Sequence, residues 1–256
     1  MARNIYFDLT EELNAHGRVV VLCSGQAVVH YRVAIMSKDG DWIIREDEPA
    51  CRRVLEVLAG HQARYRPSAP LDPRWLSGGW SSHFEFVDER GRRVRCDFFS
   101  RAPRIPPAAV GRLFAGPDGE RAVVDLESLI YMKRTRRAKD YAVIGELARL
   151  LAPSRELELT TDPDAIVRLA PQVPGGESRR AVRAFREGGG RDAVVVELAR
   201  EIDRMQREDR QRLEVYEAAA QAYLRAFRAG ALAERPLGEA HPSIVALAES
   251  TLPVRP

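Results

Sequence analysis

The run Arg18-Val19-Val20-Val21-Leu22-Cys23, closed by Ser24-Gly25, restricts the fold more than any other feature of the chain. A short β-branched apolar run bounded by turn residues reads as a buried strand, and such a strand needs covering elements on its neighbours. The surrounding sequence offers them. Thr10-Glu11-Glu12-Leu13 opens a short helix, residues 27–34 read as another, and residues 39–44 as a second strand. In residues 49–63, Val54, Leu55, Val57 and Leu58 fall at helical spacing. Residues 82–87, the turn Asp88-Glu89-Arg90-Gly91 and residues 92–99 read as strand, turn, strand. Phe84 and Phe86 lie on one face, Val94, Cys96 and Phe98 on another, and Asp97 opposite Cys96.

Beyond Asp125 the periodicity becomes helical. Residues 126–151 carry Leu129, Ile130, Met132, Val143, Ile144 and Leu147, and Pro153 ends the run. Pro163, Pro171 and Pro174-Gly175-Gly176 mark a looser stretch, and Gly188-Gly189-Gly190 reads as a hinge. Residues 191–229 form one long amphipathic pattern, with Leu198, Ile202, Met205 and Leu213 expected to be buried against the protein's own body. The fold class expected is α+β: a mixed sheet with flanking helices over residues 1–151, then a mainly helical part over 152–256.

Composition narrows the functional classes. A chain of 256 residues, 45% apolar and 30% charged, can bury a substantial core. No stretch approaches the roughly 20 apolar residues that span a bilayer, and the segment from Met1 to Asp8 has no signal-peptide pattern. Neither a membrane partner nor secretion is expected. Cys23, Cys51 and Cys96 are scattered and form no CxxC pair, which argues against a zinc site or a disulfide framework and for a cytoplasmic location. A net charge of +3 excludes a polycation. The basic residues cluster instead in Arg90-Gly91-Arg92-Arg93-Val94-Arg95 and Lys133-Arg134-Thr135-Arg136-Arg137-Ala138-Lys139. Such runs are solvated faces or contacts to a phosphate-bearing partner.

Asp39-Gly40-Asp41 poses the sharpest question. Asp-Gly is a strong hairpin-turn signal, yet residues two apart in a strand share a face and can present both carboxylates to one cation. The order of features around it favours the cation. Ser24-Gly25 follows the first strand, Asp39 and Asp41 lead into an apolar strand, Asp97 sits on a later strand, and Lys133, Lys139 and Asp140 lie on or beside a helix in residues 126–147.

Over about residues 10–150 this order resembles the nucleotidyltransferase superfamily with the DNA polymerase beta-like fold. More closely, it resembles the bacterial abortive-infection and toxin-antitoxin type. The resemblance implies a nucleotidyltransferase-like sheet. It also implies transfer of a nucleoside monophosphate from an NTP to an RNA (tRNA included) or protein acceptor, in a toxin or phage-defence role with a cognate antitoxin or defence-system partner. It assigns Mg²⁺ (or Mn²⁺) to Asp39, Asp41 and Asp97, with Asp97 serving the acceptor side. The triphosphate falls to Ser24 and the amides around Gly25, with phosphate contacts to Lys133 or Lys139 beside Asp140. Transfer of this kind depends on positioning and cationic stabilisation, which hard carboxylate oxygens holding Mg²⁺ supply. The sequence departs from the family pattern in its Ser-Gly-Gln loop, in Ile35 where an Arg is common, and in Gly40. A glycine there reads as a weakened or bulged strand. The alternative is a catalytically silent domain of the same fold that binds a partner or RNA.

Overall fold

The computed structural model describes residues 4–116 and 121–256; Met1–Arg3, part of the segment read for a signal peptide, lie outside them. In chain order the elements are α1 (Ile5–Leu13), β1 (Val20–Cys23), α2 (Ser24–His30), β2 (Gly40–Ile44), α3 (Glu48–Gly60), β3 (Arg64–Tyr65), α4 (Pro73–Ser77), β4 (Ser81–Val87) and β5 (Arg93–Phe99). Then come α5 (Pro107–Leu113), α6 (Leu126–Met132), α7 (Ala138–Ala148), α8 (Pro153–Leu159), α9 (Pro163–Leu169), α10 (Arg180–Ala184), α11 (Gly190–Ala229) and α12 (Leu237–Thr251). The architecture is α+β. A five-stranded sheet of order β1-β2-β5-β4-β3 is mixed, because β2 and β5 run parallel while the other neighbours run antiparallel.

The chain forms two compact units. One holds Met1–Asp125 and Val215–Pro256, the other Leu126–Glu214. The sequence boundary at 151–152 lies between α7 and α8, inside the second of these.

In the first unit the sheet buries one face. The register sets Phe84 against Cys96 and Phe86 against Val94, so the two apolar sets read separately from the sequence share a single face. Trp42 and Phe98 stack there with ring centroids 5.1 Å apart, and Tyr223, Phe227, Ile244 and Ala248 from α11 and α12 belong to the same core. Each fully buried large apolar side chain contributes about 1.5–3 kcal/mol relative to exposure. The aromatic residues with polar tips are also tied down: Trp75 Nε1 donates to Leu252 O at 3.2 Å and Trp80 Nε1 to Pro253 O at 2.9 Å. Helix α12 carries Pro242 inside it, and its buried residues Leu237, Ala240, Ile244 and Ala248 fall at helical spacing across it; the sequence reading assigns no element to this stretch.

Local chemistry moves several boundaries. α1 begins at Ile5 rather than at Thr10, because the Asn4 side chain accepts from the Tyr6 amide at 3.0 Å and caps the helix there. Thr10 is therefore mid-helix, where its hydroxyl donates to Tyr6 O at 2.6 Å and accepts from Trp42 Nε1 at 2.9 Å. Gly40 lies in unbroken register with Cys96, and no bulge marks it. A Cβ there would stand 2.3 Å from Trp42 Cη2 and 2.5 Å from Tyr6 Cδ1, so the glycine makes room for the aromatic core.

In the second unit the helical run from residue 126 is broken. Residues 133–137 separate α6 from α7, and Lys133 turns inward there. Its core comprises Leu157, Ile166, Leu169, Ala181, Val182, Val194 and Leu198. Gly188 and Gly190 take φ of +91° and +62° in the turn that leads into α11. α11 is a single helix of 40 residues. Of its four expected core residues only Leu198 is buried; Ile202, Met205 and Leu213 are half-buried.

Candidate active site

β2 and β5 run parallel with Asp41 directly opposite Asp97. Because side chains alternate, both carboxylates stand on the face away from Trp42 and Phe98, and His83 on β4, paired with Asp97, joins them. Asp39 precedes β2 by one residue and reaches the same group of charges: Arg95 Nη1 lies 3.6 Å from Asp39 Oδ1. Arg66 Nη1 donates to Asp97 Oδ1 at 2.9 Å. Burial pushes the Asp97 carboxyl up to about 6, and the negative charge of Asp39 adds to the rise, while Arg66 and Arg95 oppose it. His83 keeps partial solvent access, but its packing and the Arg66 charge push the imidazole down to about 4. It is therefore neutral near pH 7, with Nε2 2.9 Å from Ser81 Oγ.

The backbone entering Asp39 is held from two sides. The Tyr6 hydroxyl donates to Lys38 O at 2.5 Å. The buried Gln26 side chain donates to Ser37 O at 3.0 Å and Asp39 O at 3.4 Å, and accepts from Asn4 Nδ2 at 3.0 Å. Ser24 and Gly25 open α2 at the end of β1, with Ser24 at φ +51°. A Cβ on Gly25 would meet Ser37 Oγ at 2.1 Å, so this glycine permits the close approach of the segment that carries Asp39. The Ser-Gly-Gln departure thus has a structural use: Gln26 anchors the acidic loop. Ile35 lies fully in solvent, 98% exposed, beside exposed Met36.

Carboxylate oxygens are the donor type that a hard divalent cation takes. Asp41 and Asp97 are register neighbours, and Asp39 Oδ1 is enclosed without a hydrogen-bond partner. The three carboxylates are nevertheless not drawn together into one ligand set. Among the described residues no group of three or more His, Cys, Asp or Glu side chains is gathered to hold a metal. Arg66 holds Asp97, and Arg95 stands beside Asp39, as the present counter-charges.

Lys133, Lys139 and Asp140 belong to the second unit. Lys133 is 7% and Asp140 3% exposed, with Lys133 Nζ 3.7 Å from Asp140 Oδ1. The other Asp140 oxygen accepts from Thr135 Oγ1 at 2.5 Å and Arg137 Nε at 2.8 Å. Lys139, in the first turn of α7, is exposed. Sequence reasoning missed Arg66, His83, Gln26 and Tyr6. Arg95 carried a signal only as part of a basic run, whereas Arg66 follows a two-residue strand and carried none.

No family model matches the chain, and no curated protein matches it. Among solved structures, JHP933 from Helicobacter pylori is similar at 12% identity and TM-score 0.42, over 84% of this chain and 94% of that one. A candidate nucleotidyltransferase from H. pylori is similar at 11% identity and TM-score 0.42, over 81% of this chain and 94% of that one. Neither likeness is close enough to carry an activity across. Among the described residues, no helix is long and apolar enough to cross a membrane.

Proposed function

We propose that the chain is a metal-dependent nucleotidyltransferase, moving a nucleoside monophosphate from an NTP to a hydroxyl of RNA or protein. The observation that carries this reading is the pairing of Asp41 with Asp97 across parallel strands, with Asp39 two residues before Asp41. Asp39 and Asp41 would hold Mg²⁺ or Mn²⁺, which supplies neutralisation of the phosphate oxygens and activation of the attacking hydroxyl. Asp97, with its carboxyl near 6, is poised to accept a proton from that hydroxyl at neutral pH. Arg66 restrains the Asp97 carboxylate, and neutral His83 stands beside it without adding charge. The Ser24 hydroxyl and the Gly25 amide, where β1 passes into α2, are the groups read for the triphosphate. Lys139 stays a candidate phosphate contact, while Lys133 and Asp140 are held by each other and by their neighbours.

Incubation with labelled NTPs, Mg²⁺ or Mn²⁺, and either total RNA or cell extract tests the reading. Label should move to one acceptor fraction with the natural protein and not with Asp41→Asn. Absence of transfer under both metals, or equal transfer by the variant, overturns it. The sequence resemblance supports extending the reading to a toxin or phage-defence role with an antitoxin partner. Growth arrest on expression, relieved by Asp41→Asn, is the outcome that extension requires.

A further inference from the structure

The second unit contains a cavity of about 410 Å³ that the carboxylate face does not use. Its lining brings five arginines, Arg134, Arg179, Arg180, Arg183 and Arg204, together with two glutamates, Glu158 and Glu201. Both glutamates are already engaged. Glu201 Oε2 accepts from Arg179 Nε at 3.1 Å and Nη2 at 2.8 Å, and its Oε1 from the Ala181 amide at 3.1 Å. Glu158 pairs with Arg155. Arg179 also donates to the carbonyls of Leu157 and Thr160, each at 2.9 Å, and with Glu201 it forms a rigid, nearly buried wall.

Arg183 and Arg204 have weaker commitments. Arg204 stands 3.8 Å from Glu208 on its own helix, and Arg183 Nη1 donates to Glu177 O at 2.8 Å. The Arg180 side chain is exposed and, among the described residues, makes no hydrogen bond or ion pair. An adjoining cavity, which Arg180 and Arg204 also line, adds Arg200 and Arg207, but these two pair with Glu197 and Asp203 along α11 and so add no unpaired cation. Guanidinium groups crowded in this way repel one another, and a phosphate, whose oxygens match the guanidinium fork, relieves that repulsion. The guanidinium of Arg134 lies 4.6 Å over the Tyr131 ring and forms a flat platform on which a base can stack. The volume lies within the roughly 300–1,000 Å³ of small-ligand sites.

We infer that this cavity is a ribonucleotide-phosphate site, with the phosphate at Arg180 and Arg183 and the base against the Arg134–Tyr131 stack. The ligand is a free mononucleotide or the terminal residue of an RNA strand, which share this chemistry. The inference stands apart from the transferase reading, because it needs neither the metal nor turnover.

Binding is measured by calorimetry in EDTA, on full-length protein carrying Asp41→Asn. The probes are AMP, GMP, CMP, UMP, inorganic phosphate and a ten-residue single-stranded oligoribonucleotide with and without its terminal phosphate. Saturable binding of at least one mononucleotide or of the phosphorylated oligonucleotide is expected. Arg180→Gln and Arg183→Gln should each weaken it about tenfold or more, while Arg210→Gln, an exposed arginine outside the cavity, leaves it unchanged. A mononucleotide binding as tightly as the oligonucleotide identifies the free ligand, and a much tighter phosphorylated oligonucleotide identifies RNA. No saturable binding, or equal losses at Arg210 and Arg180, overturns the assignment. Loss of transferase activity in the natural protein leaves this result untouched, so the two readings fail separately.

Discussion

Asp97→Asn tests the electrostatics of the carboxylate face without removing a side chain. The Asp97 carboxyl rises from 3.8 to about 6, chiefly through burial. A shift of one pKa unit corresponds to about 1.36 kcal/mol, so the ionised form of Asp97 costs the native state about 3 kcal/mol at pH 7.5. The sign follows from linkage. The native state binds this proton more tightly than the unfolded chain does. The contribution is therefore fully present below pH 4 and is lost as the pH rises through 6. Asparagine keeps the shape and still offers an oxygen to Arg66, but has no proton to lose. Urea unfolding in EDTA at pH 4, 5, 6 and 7.5, on both proteins, isolates the effect as a difference, which matters because His83 titrates in the opposite sense. The stability of the Asp97→Asn protein relative to the natural one should rise by about 2.5 kcal/mol between pH 4 and pH 7.5. A difference that stays flat would show that Asp97 is not perturbed by burial. A difference that falls with pH would show that the ion pair with Arg66 outweighs desolvation, and the proton-acceptor role of Asp97 would lose its basis.

His83→Gln should remove an acid liability. The imidazole is held at about 4 against an ordinary 6.5, so its stabilising contribution is present above pH 6.5 and lost as pH falls toward 4. Unfolding free energies from urea titrations at pH 7 and pH 4.5 should converge for the variant by up to about 2.5 kcal/mol. Gly40→Ala forces a methyl into the Trp42 and Tyr6 rings and should cost about 1–3 kcal/mol by thermal or chemical unfolding, with a neutral result refuting the packing explanation. Gly25→Ala displaces the Ser37 segment, so NTP affinity in the presence of Mg²⁺ should fall while the melting temperature changes little; calorimetry beside a thermal melt separates the two. Lys133→Met leaves Asp140 with Arg137 and Thr135 as partners, and should lower stability by about 1–3 kcal/mol, whereas Lys139→Ala, exposed on α7, should leave stability unchanged.

What the sequence disclosed about the site depended on whether the signal was local. The strand from Val20 to Cys23, the alternation of Arg93–Phe99 and the Asp39-Gly40-Asp41 spacing are all carried by residues within a few positions of one another. Pleat geometry then fixes which face each carboxylate takes. The partners of those carboxylates are not encoded locally. Arg66 meets Asp97 only because β3, two residues long, pairs with β4 and β4 with β5, a chain of contacts that no periodicity announces. Gly40 shows the same limit from the opposite direction. Beside two acids it reads as a flaw in a strand, yet the space its missing Cβ leaves is occupied by Trp42 and by Tyr6 from α1. Lys133 and Asp140 were legible as charges near a helix. Their mutual burial depended on the break at residues 133–137, where the Tyr141 hydroxyl donates to Thr135 O at 2.8 Å and the Arg136 amide to Asp209 Oδ2 at 2.8 Å. The same reasoning locates the arginine cavity. Arg179, Arg180 and Arg183 sit close in sequence, but the glutamate that saturates Arg179 lies on α11, and only the folded unit shows which of these cations remain available to a ligand.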